Sequence, residues 1–127
     1  MTTADLNRAF DWMRAAASEL ELPGTEETTW FGRPCLRVRG KSFVGSKDGK
    51  ALVVYCHVDE KEMLLEAAPD IYFQTDHYKG YPAVLIRPER IERNELKLRI
   101  ERAWRMCASK RMLAEYDQRP LMNPKSK

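Results

Sequence analysis

From Glu26 to Val58 the side chains alternate with a period of two, and glycines punctuate the alternation where the chain must turn. Leu36 and Val38 alternate with Cys35, Arg37 and Arg39, as in a strand with one wet face, and Gly40-Lys41 turns it into Ser42-Phe43-Val44. Lys47-Asp48-Gly49-Lys50 carries the Asp-Gly pair favoured in type I′ hairpin turns, after which Leu52, Val54, Cys56 and Val58 alternate with Val53, Tyr55 and His57. The pattern predicts an antiparallel meander. A sheet with one apolar face must bury it against another layer, and the two ends of the chain supply that layer.

At the first end Leu6, Phe10, Met13, Ala17 and Leu20 form one helical stripe, with a capping box at Thr2-x-x-Asp5 and a stop at Pro23-Gly24. Trp12 points away from that stripe. Further on, Asp59 is placed to N-cap a short helix through Met63, Leu64 and Ala67 that Pro69 ends. Ile71-Tyr72-Phe73 and Ala83-Val84-Leu85-Ile86 add two strands. At the second end Leu96, Ile100, Ala103, Trp104 and Cys107 share one face of a helix that must lie on the sheet. The expected fold is two-layer α+β, helices packed on one face of a twisted antiparallel sheet. One domain is expected over residues 1–118, and a structureless tail over 119–127, which has Pro120 and Pro124 and no apolar period.

Charged residues make up 32% of the 127-residue chain and apolar ones 43%, the composition of a water-soluble domain with a single core. No apolar run approaches the roughly 18 residues of a membrane span, and Met1 to Asp5 do not open a secretory signal, so a cytoplasmic protein is expected. Cys35, Cys56 and Cys107 are odd in number and lack zinc-ligand spacing; they are read as reduced core thiols. The net charge of +3 is unevenly placed: from Arg87 onward twelve Lys/Arg face six Asp/Glu, a local +6, which leaves −3 for the rest. That asymmetry is compatible with a polyanionic partner.

The sequence holds no phosphate loop, no nucleophile elbow and no His-Glu-x-x-His helix, so no enzyme, cofactor or metal is expected. Only His57 and His77 are available as imidazoles, and Cys56 cannot pair with His57, because neighbours on a strand point to opposite faces. His57 is placed on the sheet's polar face.

Two segments carry a resemblance. Tyr72-Phe73-Gln74-Thr75-Asp76-His77-Tyr78-Lys79-Gly80-Tyr81-Pro82 runs into the strand Ala83-Val84-Leu85-Ile86-Arg87, and Trp30-Phe31-Gly32-Arg33-Pro34 precedes a strand that Gly40-Lys41 separates from the next. In this order they resemble the two signatures of the MmcQ/YjbR family of small bacterial proteins. The resemblance implies a CyaY-like arrangement and a role as a DNA-binding protein whose projecting β elements act like paired wings. Frataxin-type proteins share that fold and bind iron through an acidic first helix. Here the acids Glu19, Glu21, Glu26 and Glu27 follow the helix, and no iron role is expected.

Candidate contacts with double-stranded DNA are Arg37, Arg39 and Lys41 on one hairpin, Lys47 and Lys50 on the next, and His77, Lys79 and Arg87; the same lysines on a sheet edge would also block aggregation. His77-Tyr78-Lys79-Gly80-Tyr81 reads first as a plain hairpin turn, with a small-anion or nucleic-acid contact as the alternative. Trp12, Tyr78 and Tyr81 are the candidate anchors if the chain instead binds a protein or a second copy of itself. Arg99, Arg102 and Arg105 read as a solvated helix face, with Glu95 and Glu101 four residues before Arg99 and Arg105.

Overall fold

A computed structural model describes residues 3–118. Helix α1 (Thr3–Leu20) leads into four strands, β1 (Thr25–Trp30), β2 (Arg33–Val38), β3 (Lys41–Gly45) and β4 (Leu52–Tyr55). After α2 (Val58–Ala67) come β5 (Tyr72–Phe73), a 3-10 turn (Asp76–Tyr78), β6 (Ala83–Ile86), α3 (Arg93–Cys107) and α4 (Lys110–Asp117). The sheet is antiparallel throughout in the order β1-β2-β3-β4-β6-β5, so the chain leaves α2 for the sheet edge and returns inward through the 3-10 turn. The Thr2 half of the capping box and the tail from Arg119 lie outside the described residues. Among those residues no helix is long and apolar enough to cross a membrane.

The period-two pattern decides which face is which. Leu36, Val38, Val44, Leu52, Val54, Val84 and Ile86 meet Met13, Phe10, Ile100 and Trp104 in the main core, which α1 and α3 cover. Phe43 joins that core despite its place in the alternation, because a bulge shifts the β2–β3 register between Leu36 and Arg37. The opposite face carries a smaller cluster, Ala51, Val53, Ala83 and Leu85, partly roofed by Trp30, Tyr55, Phe73 and Tyr78. The α+β class and the helix-on-sheet packing are as the alternation requires. All three cysteines are free and buried.

Several local expectations are corrected. Positive φ at both central residues, the mark of a primed hairpin turn, occurs at Phe31-Gly32 (53° and 76°) and Arg39-Gly40 (56° and 79°), whereas only Gly49 of Asp48-Gly49 has it. Residues 46–51 form a longer loop instead: Asp48 Oδ1 accepts from the amides of Lys50 (2.8 Å) and Ala51 (3.0 Å), and buried Ser46 Oγ accepts from that of Gly49 (3.1 Å). Strand β4 ends at Tyr55, so His57 stands exposed at the N-cap of α2, not on a polar sheet face, and Asp59 falls in the helix's first turn. Helix α4 was not legible as a separate element; Ser109 caps it by accepting from the Met112 amide (3.1 Å), and Tyr116 packs on Trp104 at 5.0 Å.

Of three side chains expected to face outward, Trp12 and Arg99 do not, and Arg39 is exposed but engaged. Trp12 is half-buried against the core beneath Arg8, whose guanidinium lies 5.0 Å from the ring. Arg39, turned by its left-handed backbone, reaches back to the carbonyl of Cys107 (3.4 Å). Arg99 is buried, and its closest ion pair is tertiary, to Glu60 at 2.8 Å, with Glu95 at 3.8 Å on its own helix. Arg105 likewise pairs first with Asp117 (2.8 Å) and only at 4.0 Å with Glu101.

Candidate functional site

The helix-free face of the sheet holds a cleft of about 490 Å3, lined by both ends of β3, the inner residues of β4 and the turn before β6. Its floor is Gly45 and Val53; Trp30, Tyr55, Tyr78 and Tyr81 supply aromatic walls; Lys41, Lys47 and His77 bring charge and an imidazole. Lys41 and Lys47 lie at opposite ends of β3, up to about 20 Å apart along the backbone at the rise of an extended chain. One cleft therefore collects the basic residues of two hairpin ends.

Each wall has a local cause. Trp30 ends β1 before the tight Phe31-Gly32 turn, and Gly45 gives it room: a Cβ there would come within 2.8 Å of Cys35 Cβ and 3.2 Å of the indole. Gly45→Ala should lower stability by about 1–3 kcal/mol through overpacking and shift the Trp30 emission. An unchanged melting temperature and spectrum would show that the floor is not close-packed. Arg33 fixes the rim, its Nη1 donating to the carbonyls of Lys47 (3.0 Å) and Phe31 (3.2 Å), so the turn after β1 and the loop after β3 are stapled together.

The far wall hangs on a lysine that sequence reasoning overlooked. Lys61 of α2 is 2% exposed, and its ammonium donates to the carbonyls of Tyr78 (2.6 Å) and Tyr81 (2.8 Å). Burial lowers its pKa, against a weaker opposing influence of Cys56. Tyr55 stands against this wall; burial, and then its hydrogen bond to Tyr81, push its phenol up to about 12. Tyr78 is raised as well, by burial first and then by Tyr81 and Asp48. Both phenols therefore stay neutral at physiological pH.

Residues 20–106, from the end of α1 to the last turn of α3, match the YjbR family. The chain belongs to that family. Among curated proteins it is similar to an uncharacterized protein of Mycobacterium bovis and to two of Mycobacterium tuberculosis, each 41% identical over 56 residues. Those alignments cover 44% of this chain and 43% of each relative, so less than half of either partner is compared. No solved structure gives a significant match.

The YjbR match spans every residue of the cleft, whereas α4 lies beyond it. Of the residues singled out from sequence, the YjbR fold brings Lys41, Lys47, His77, Tyr78 and Tyr81 together, with exposed Lys50 on the same loop as Lys47. It does not bring the others. Arg37 is paired with Glu26 (2.9 Å), Arg39 reaches α3, Lys79 is exposed beyond the 3-10 turn without lining the cleft, and Arg87 lies 4.3 Å over the Phe73 ring at the sheet's other edge. Trp12 belongs to the helical layer. Trp30, Ser42 and Tyr55 were missed, although the phase of the alternation puts Val53 and Tyr55 on this face and so held the signal for Tyr55. The acids near α1 are engaged singly: Glu19 with Arg93 (2.8 Å) and Lys97 (2.9 Å), Glu26 with Arg37, and Glu27 with Arg14 (2.9 Å). Among the described residues no three metal-ligating side chains come together.

Proposed function

We propose that this YjbR-family chain is a non-enzymatic DNA-binding protein that holds phosphates along the helix-free face of its sheet, with Lys41, Lys47 and Lys50 as the principal cations. The observation that carries this reading is the convergence of Lys41, Lys47 and His77 on one cleft from three separate turns. Cations spaced along a strand suit a linear polyanion better than a compact one, and lysines act there as point charges that fix register without reading sequence. Arg37, Arg39 and Arg87 are left to structural roles, since each engages another part of the chain.

With about three phosphates neutralised, affinity for a random duplex should fall roughly 40-fold between about 50 and 200 mM salt. Reversing charge in Lys47→Glu/Lys50→Glu should weaken binding to all sequences alike and reduce the salt slope by about two. Fluorescence anisotropy of a labelled duplex measures both. An affinity independent of salt, or a double variant with unchanged slope, would remove these hairpin ends from the reading.

A further inference from the structure

A grip on phosphates leaves half of the cleft unexplained. Lys41 and Lys47 suit an anion, but Trp30, Tyr55, Tyr78 and Tyr81 present aromatic surface for which a duplex backbone has no use. The rings meet edge to face: Tyr55 and Tyr81 cross at 89° with centroids 6.5 Å apart, and Tyr78 and Tyr81 at 69° and 5.9 Å. Rings arranged this way do not cover one another as stacked rings would, and Tyr81 is 46% exposed. A flat aromatic ligand can lie on such a face.

The ligand must also be anionic, because the lysines sit at both ends of the floor strand. Its aromatic part must be small, since about 490 Å3 lies within the range of about 300–1,000 Å3 that encloses one organic ligand. A base inside a duplex shows only its edges; its faces are taken by its neighbours. Only a nucleotide out of the stack offers a face and a phosphate together.

Resting on the DNA-binding reading of the same cleft, we propose that it receives one unstacked base of a single-stranded nucleic acid. The base lies on Tyr81, bordered by Trp30 and Tyr55, while phosphates further along the strand on either side meet Lys41 at one end of β3 and Lys47 beyond the other. Ser42 and Tyr55 also line the cleft, and because every base has a π-face, tolerance of base identity follows.

The test compares three labelled probes of equal length by anisotropy at one salt concentration: a thymidine strand, the same backbone with abasic sites throughout, and a duplex. The base-bearing strand should bind about tenfold tighter than the abasic one. Tyr81→Ala should erase that difference and Tyr81→Phe should retain it; because Tyr81 is exposed, both should melt close to the wild type. Equal affinity of the wild type for the base-bearing and abasic strands overturns the base site while leaving the phosphate surface standing. No salt-dependent binding of any probe overturns both. A free mononucleotide that binds as tightly as the strand also overturns the proposal and gives the cleft to a metabolite.

Discussion

Glu60→Ala is expected to lower the free energy of unfolding by about 3–5 kcal/mol, because it strands a buried guanidinium. Arg99 has a side chain only 9% exposed, and its Nη1 donates to Glu60 Oε2 at 2.8 Å; Arg102 Nε approaches the same oxygen at 2.6 Å from a half-exposed position. Without the carboxylate, Arg102 can turn to water, but Arg99 keeps only Glu95 at 3.8 Å. Tyr72 holds that second carboxylate by a hydrogen bond. The double variant Glu60→Leu/Arg99→Met should regain most of the loss, since an apolar pair of similar volume often replaces a buried ion pair at little cost. Chemical denaturation of the single and double variants measures this; a single variant within about 0.5 kcal/mol of the wild type would show that the pair is solvated.

The same carboxylate sets an acid limit. Burial alone would raise the Glu60 pKa, but the hydrogen bonds and charges of Arg99 and Arg102 outweigh it, so the carboxyl ends below its ordinary value. The unfolded chain therefore takes up its proton first as the pH falls. The contribution to stability is intact above the unfolded value of about 4.3 and is lost as the pH drops through the lower folded value. Between about pH 5 and 3 the wild type should lose more stability than Glu60→Ala. Neighbouring Cys56 gives no competing titration near neutrality, because burial, and then the charge of Glu60, push its thiol up to about 11.

What was legible in the sequence depended on short-range pattern. The stripe Leu96, Ile100, Ala103, Trp104 and Cys107 is buried throughout because a helix repeats its face every few residues whatever it packs against. The alternation in β2 and β4 fixed both sheet faces for the same reason, and turn-flanking Lys41 and Lys47 stood out by position alone. The cations Arg99 and Lys61 were not legible, because their burial depends on partners far along the chain. Glu60 lies 39 residues from Arg99, and the Tyr78 and Tyr81 carbonyls lie 17 and 20 residues from Lys61. On an amphipathic helix such residues read as solvated. Arg39 is exposed, as the alternation requires, but its contact with Cys107 was not legible, because a left-handed backbone at φ 56° ends the strand before it. Helix α4 has eight residues and rests on Tyr116 against Trp104, and so short a helix is decided by packing, not propensity.

Lys61→Ala should destabilise the protein by about 3 kcal/mol, from two charge-assisted hydrogen bonds and a packed stem offset by the desolvation that the ammonium no longer bears. Lys61→Met keeps the stem and should recover part of the loss. Neither carbonyl is orphaned in these variants, since Tyr78 O still accepts from the Tyr81 amide and Tyr81 O from that of Ala83. What is lost is the tie between α2 and the segment that carries His77, Tyr78 and Tyr81 into the cleft. Amide exchange should therefore accelerate from Tyr78 to Ala83 well beyond the global change in stability. Binding separates this role from a phosphate contact. Lys61 faces two backbone carbonyls, so its loss should weaken nucleic-acid affinity about tenfold by disordering the wall, yet leave the salt slope unaltered, because that slope counts phosphates met by cations. A slope reduced by about one would instead make Lys61 a direct phosphate ligand, and unchanged exchange in Tyr78 to Ala83 would mean that the wall stands without it.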